Sequence, residues 1–433
     1  MKTTPHIFPL FPPHPPGERA GVWILCGQVA ALALARQLSR AGARVGCADT
    51  DAEAPALFSR HCQHRLTLTG RTEAGWARQL LEAARDWRPR PVLLATSDET
   101  LLFVSRFREQ LGQSFRLDLA AHELLTSLID KRRMYELAAR HGLPAPRGLP
   151  VRDEAELAAA GRELGYPCLL KSAYSKPGGR DAAQGKILAD SWDELRLNYA
   201  WLRQWDDRLL VQEWIPGGCG NIVMFNGYFS AAGEPVAVFT GRKLRQFPCQ
   251  SGTASLSEAF AAPEVARAMA QFLTALGYRG PVDGGMKYDP ASRCFKVLDI
   301  NPRLGQNYRT YHGREGVDMG WLAYSGAAGA EWPAGYSPLE MQRPCRWGME
   351  DHDWRSARVL KIRGELRWRD WLRQWARVNE RAWWDWRDLR PVAGRLRNWR
   401  RERQGASAQA RAAQTPAYTR SAAAGSAKED VQS

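Results

Sequence analysis

Short apolar runs alternate with amphipathic stretches along the first hundred residues. Val22-Trp-Ile-Leu-Cys26 is a continuous apolar run and predicts a buried strand. Val29 to Arg40 has helical periodicity and is closed by Ala41-Gly42. Arg44-Val-Gly-Cys-Ala-Asp49 and Pro91-Val-Leu-Leu-Ala-Thr96 predict further buried strands. This strand–helix alternation predicts a parallel α/β sheet. An α+β pattern follows: a helix over Asp130–His141, stopped by Gly142, Pro144 and Pro146, then a helix near Glu154–Leu164. Strands are predicted at Cys168–Lys171, Leu209–Glu213, Asn221–Phe225, Pro235–Thr240, Gly285–Tyr288 and Phe295–Ile300. Helices are predicted near Trp192–Gln204 and Pro263–Leu276. No internal repeat is present.

Composition narrows the class. A chain of 433 residues with 44% hydrophobic and 25% charged residues is globular and long enough for several compact units. No apolar run reaches the roughly 18 residues of a membrane span. The proline-punctuated start, residues 1–20, lacks the apolar core of a secretory signal, so a cytoplasmic location is expected. The eight cysteines include no Cys-x-x-Cys pair, which argues against a zinc ribbon or a disulfide framework. The net charge of +15 is uneven: residues 351–403 carry 16 Lys and Arg against 8 Asp and Glu, and that excess favours anionic partners. Residues 405–433 are Ala/Ser/Gln-rich and are expected to be disordered.

Candidate chemistry is concentrated in five places. Asp299 and Asn301 end an apolar strand two residues apart, so they share a face, with Arg303 just beyond. A carboxylate and an amide oxygen suit Mg²⁺, and an arginine suits phosphate. Lys131 opens a helix. Lys171 ends a buried strand, from which a long ammonium side chain reaches phosphate as a point charge. The loop Ser172–Lys186, with Gly178 and Gly179, allows backbone N–H groups to fold over a polyphosphate, although a surface hairpin has the same composition. Val211-Gln-Glu-Trp-Ile-Pro-Gly217 runs from a strand into a turn whose backbone can pair with a purine edge. Gly27 stands alone where a dinucleotide site has Gly-x-Gly-x-x-Gly. Asp98, after a strand end, reads either as a ligand contact or as a helix cap.

In this order the motifs resemble the ATP-grasp superfamily, from about Gly21 to Tyr324. The resemblance is to its carboxylate–amine ligase-like branch, which includes D-aspartate ligases and carbamoyl-phosphate-synthase-like proteins. It implies a Rossmann-like preATP domain (21–118) and an ATP-grasp domain (119–325) with a mobile lid (about 150–215) and a C-terminal metal-binding lobe. A helical, basic Trp/Arg-rich extension (326–404) would follow. The implied activity is ATP-dependent coupling of a carboxylate, amino-acid-like in kind, to an amine through an acyl-phosphate. Lys131, Lys171, Gly178 and Gly179 would contact phosphates. Gln212, Glu213, Trp214 and Ile215 would line the adenine pocket. Asp299 and Asn301 would hold Mg²⁺ or Mn²⁺. Arg303, Lys171 and Arg242 would act in catalysis, and Lys243, Arg245 and Gly252 would face substrate. The resemblance also implies a carboxylate from the preceding strand; its register falls on Gly285, and Asp283 is the nearest substitute.

In the extension, Trp368, Trp371, Leu372 and Trp375 form a helical stripe flanked by arginines. It reads either as a helix packed on the body or as an interfacial helix on an anionic membrane, the contact then falling within residues 355–403. On the second reading the protein is a catalytically weak ATP-binding module docked on a membrane or protein partner. Nucleic acid is not expected, because no reader motif accompanies the charge.

Overall fold

A computed structural model describes residues 20–172, 186–204, 206–249, 252–313, 318–330 and 343–396. The Pro-rich start, Gly178 and Gly179 of the glycine loop, and the polar tail lie outside the described residues.

The first apolar runs become a four-stranded parallel sheet. Its strands are β1 (Val22–Leu25), β2 (Val45–Asp49), β3 (His64–Thr67) and β4 (Val92–Ala95), in the order β3-β2-β1-β4. Val22 and Ile24 enter one hydrophobic core, Trp23 and Leu25 another. Helix Val29–Arg40 packs in the first core and helix Glu73–Ala84 in the second, so both faces are covered, as parallel strands require.

A small antiparallel sheet follows: β5 (Gly148–Val151), β6 (Cys168–Ser172), β7 (Lys186–Ala189) and β8 (Leu209–Glu213), ordered β5-β8-β6-β7. Cys168, Leu170, Leu209 and Val211 pack with Leu157 and Ala160 of helix Glu154–Leu164 and Leu195, Tyr199 and Leu202 of helix Trp192–Leu202. Strand alternation turns Leu169, Lys171, Leu210 and Gln212 to the opposite face.

The third sheet has seven strands. They are β9 (Ile222–Phe229), β10 (Pro235–Phe247), β11 (Thr253–Ala259), β12 (Gly280–Asp289), β13 (Cys294–Asn301), β14 (Arg346–Gly348) and β15 (Glu380–Arg381), ordered β13-β12-β9-β10-β11-β14-β15. Helix Pro263–Ala275 buries one face. Helix Met319–Ala327 covers the other, and Tyr228, Leu322 and Leu34 share one continuous core there, joining this sheet to the N-terminal unit.

The C-terminal extension is built into this sheet rather than appended to it. β14 pairs antiparallel with β11, and β15 pairs parallel with β14. The tryptophan stripe forms helix Trp368–Trp375 and packs on helix Glu350–Ile362. Trp371 and Trp375 both donate their indole N–H to Asp353, and Trp354 stacks on Trp368 with ring centres 5.2 Å apart. Of the two readings of that stripe, packing on the body holds for Trp371 and Trp375, while Trp368 and Leu372 stay exposed; nothing in the structure supports a membrane contact. No helix among the described residues is long and apolar enough to cross a membrane.

Candidate functional site

The placement of Asp299 depends on a β-bulge. Val297 and Ile300 both enter the core beneath helix Pro263–Ala275, yet residues three apart on a regular strand face opposite ways. Between them the register slips: Gly285 pairs with Asp299 but Met286 pairs with Val297, leaving Leu298 as the extra residue. The Leu298 carbonyl accepts a hydrogen bond from Tyr135 at 3.1 Å. The bulge carries Asp299 and Asn301 out of the core and onto the cleft face.

Four ammonium groups act on the Asp299 carboxylate from separate elements. Burial works to raise its pKa, but Lys186, Lys131, Lys243 and Lys171 together hold it below the usual carboxylate value. Lys131 is the first residue of helix Lys131–Arg140, whose N-cap Asp130 accepts from the backbone N–H groups of Arg132 (2.9 Å) and Arg133 (3.3 Å). Burial and then Lys186 push the Lys131 pKa down to about 8, against the pull of Asp299. Lys171, on the cleft face of β6, donates to Gln212 Oε1 at 2.7 Å. Burial, Lys186 and Lys131 hold its pKa well below the ordinary lysine range. Gln212 Oε1 also accepts from Tyr135 at 2.7 Å. Lys243, on β10, donates to the Gly252 carbonyl at 3.3 Å, and burial lowers its pKa.

Arg303 turns the other way. Its Nε lies 2.7 Å from Asp98 Oδ1, at the carboxyl end of the parallel sheet. Burial works to lower its pKa, but Asp98 and Asp283 raise it. Ser97, not Asp98, caps the helix that follows β4, and the Asp98 carboxylate serves instead as the partner of Arg303. Asp283 accepts from Asn226 (2.9 Å) and from Asn301 Nδ2 (3.0 Å), and burial lifts its pKa to about 6. That bond spends the amide nitrogen of Asn301 and leaves its oxygen as the group a cation would meet.

The donor set fits a hard cation of the Mg²⁺ kind on partial terms. Asp299 and Asn301 share a face, and Gly285 lies directly opposite Asp299, where a Cβ would meet Oδ1 at 3.1 Å. Among the described residues no group of three or more His, Cys, Asp or Glu is arranged to hold a metal ion. Two protein oxygens completed by water and phosphate fit Mg²⁺; an all-protein cage is not present.

Gln212, Glu213, Trp214 and Ile215 leave the small sheet together. Glu213 pairs with Lys296 at 2.6 Å. Lys287 donates to the Ile215 carbonyl at 2.7 Å and sits 4.5 Å from the Trp214 ring centre, so this connection is tied to β12 and β13. Beside it a cavity of about 420 Å³ opens among Leu169, Lys186, Trp214, Phe247, Val359 and Arg363. The last two residues belong to the C-terminal extension.

Two arginines expected in catalysis or substrate contact are occupied elsewhere. Arg242 pairs across the strands with Glu258 at 2.6 Å and lies over Phe260. Arg245 is buried and makes a two-pronged bond to Asp353 at 2.7 and 2.8 Å, which ties the extension to β10. Gly252 packs so tightly on the Phe247–Pro248 backbone that a Cβ would meet Phe247 C at 2.0 Å. Sequence reasoning did not single out Lys186 as a site residue, although it faces Lys171 across the β6–β7 ladder. A hairpin closing on the glycine loop would have paired those two ends. It also missed Tyr135, whose position one helical turn after Lys131 puts both on one face.

No protein-family model matches the chain. It is 25% identical over 227 residues to the D-aspartate ligase of Enterococcus faecium (strain Aus0004), covering 50% of this chain and 54% of that protein. It is 31% identical over 91 residues to the D-alanine–D-alanine ligase of Pseudomonas fluorescens (strain Pf0-1), covering 21% of this chain and 26% of that one. The chain thus spans about half the length of the first relative and about a quarter of the second. Among solved structures it is similar to the biotin carboxylase domain of the Hydrogenobacter thermophilus 2-oxoglutarate carboxylase, in complex with MgADP. There the TM-score is 0.59 at 15% identity, covering 75% of this chain and 73% of that one. N5-carboxyaminoimidazole synthetase from Staphylococcus aureus, complexed with ADP, gives a TM-score of 0.58 at 14% identity, covering 76% and 81%. These likenesses define the class: the fold is ATP-grasp.

Proposed function

We propose that this protein is an ATP-dependent, ADP-forming ligase that joins an amino-acid carboxylate to an amine. The observation that carries the reading is the carboxylate Asp299, set among Lys131, Lys171, Lys186 and Lys243 on a cleft between the small sheet and the large one. Four lysine side chains gathered at the Asp299 carboxylate suit the negative oxygens of a triphosphate. Asp299 and Asn301 would hold Mg²⁺, or Mn²⁺ in its place, which on binding supplies further charge neutralisation to the phosphates. The similarity to two D-amino-acid ligases supports an amino-acid substrate.

The reaction needs no nucleophilic side chain. A carboxylate oxygen of the first substrate attacks the γ-phosphorus, the bond to the ADP oxygen breaks, and an acyl-phosphate forms. The amine of the second substrate then attacks the acyl carbon, phosphate departs, and the amine gives up a proton to solvent. Lys131 and Lys171 fix the phosphates through both steps. Gln212 holds the Lys171 ammonium at 2.7 Å so that it does not reorient as charge moves. Gln212 to Ile215 supply the adenine wall, with Trp214 stiffened by Lys287. Arg303 is held by Asp98 beside the metal-binding face and steadies the acyl-phosphate oxygens.

The test is phosphate release from ATP and Mg²⁺ across a panel of D- and L-amino acids paired with amines, with product mass read in parallel. The reading predicts release that requires both substrates. Asp299→Ala should reduce it by at least a hundredfold while the protein still melts cooperatively; full activity in that variant refutes the site.

A further inference from the structure

A second cavity, of about 400 Å³, lies away from the nucleotide cleft and shares no lining residue with it. Arg90, Arg108, Arg116 and Arg279 line it together with Phe115 and Leu119, and none of the lining residues is acidic. We propose that this cavity is a separate site for a small polyanion, an organic phosphate or polycarboxylate bearing at least two oxyanion groups.

The argument starts from unspent donors. Each guanidinium carries five N–H groups in a rigid fork. Arg90 gives one to the Gly112 carbonyl at 2.9 Å, and Arg116 gives one to the Ala328 carbonyl at 2.7 Å. Arg108 reaches the Ala120 carbonyl, and its buried Nε meets no acceptor among the described residues. Carbonyls satisfy hydrogen bonds but cancel no charge. Among the described residues, only Arg279 of the four has a carboxylate partner, Asp118, whose other oxygen also accepts from Tyr228. Four positive charges therefore face one negative charge. Burial and the facing Arg279 both work against the charge on Arg108.

A cluster of like charges over an apolar floor costs stability when empty, and an anion with several oxygens removes the cost. The volume lies within the range of small-ligand sites and exceeds what a single phosphate fills. The arginines come from four points: the turn before β4, the start of the short helix Arg108–Gly112, the chain leading to Asp118, and the entry to β12. A ligand here would bridge the N-terminal unit and the large sheet.

The test uses the full chain with inorganic pyrophosphate and with citrate, titrated calorimetrically in EDTA at fixed ionic strength. Lys171→Gln is titrated alongside, because pyrophosphate also suits the nucleotide cleft. The proposal predicts saturable binding of at least one probe that persists in Lys171→Gln and weakens at least tenfold in Arg108→Gln. Arg90 is exposed and makes a single carbonyl bond, so Arg90→Gln keeps the fold if Arg108→Gln does not, and about threefold weakening is expected there. Tighter pyrophosphate assigns the site to organic phosphates; tighter citrate assigns it to polycarboxylates. Absence of heat from both probes, loss of all binding in Lys171→Gln, or unchanged affinity in the arginine variants overturns it.

Discussion

Asp299 and Lys131 are opposed charges whose protonation a bound triphosphate must shift. Lys131, at about 8, is partly neutral in mildly alkaline solution. Between that value and the ordinary 10.5 the unfolded chain binds more protons than the folded one, so this group makes stability rise with pH across the window. A triphosphate beside the ammonium raises its pKa again. Nucleotide binding at pH 8.5 should therefore take up protons, and calorimetry in two buffers of unlike ionisation heat should give unlike apparent enthalpies. Equal enthalpies would contradict the placement of Lys131. Gly285 makes a second prediction. Gly285→Asp sets a new carboxylate against Asp299 Oδ1, which a Cβ already approaches to 3.1 Å. Without metal it should lose about 1–2 kcal/mol in urea unfolding from like-charge repulsion, and Mg²⁺ should restore the loss. Much of this site was legible from residue types: Lys131, Lys171, Asp299 and Asn301 converge. The fates of Arg242 and Arg245 were not, because their partners Glu258 and Asp353 lie 16 and 108 residues away along the chain.

Among the elements, strands with one clear apolar pattern were readable and strands without one were not. β8 spans Leu209–Glu213, as its apolar run predicts. β11, Thr-Ala-Ser-Leu-Ser-Glu-Ala, buries Ser255 and Ser257 completely. Ser257 meets Thr310 at 3.0 Å and Ser255 meets Asp353 at 3.2 Å, so hydroxyls satisfied by hydrogen bonds stand where a sequence reader looks for Val or Ile. The bulge at Leu298 leaves no compositional mark either. Asp353 is the node joining the extension's two helices to β10 and β11, through Arg245, Trp371, Trp375 and Ser255. Asp353→Ala leaves the Arg245 charge buried and unpaired, and should cost about 3–5 kcal/mol in chemical unfolding. A change under 1 kcal/mol would show that the extension is held by other contacts.

Across the whole molecule, the minority acids of a basic segment do the docking. Composition pointed to an outward-facing cationic surface. In the structure Asp388 accepts from Arg36 (2.9 Å), Ser59 (2.6 Å) and the Arg60 backbone (3.0 Å), all in the N-terminal unit. Glu380 pairs with Arg309 at 2.8 Å. The extension thus straps the N-terminal unit to the large sheet, and it reaches the cavity beside Trp214 through Val359 and Arg363. Titration of MgATP into the full chain, followed by calorimetry, tests this account most directly. It predicts saturable one-to-one binding that weakens at least tenfold in Lys171→Gln and in Asp299→Asn. No heat at millimolar nucleotide, or equal affinity in all three proteins, would contradict it.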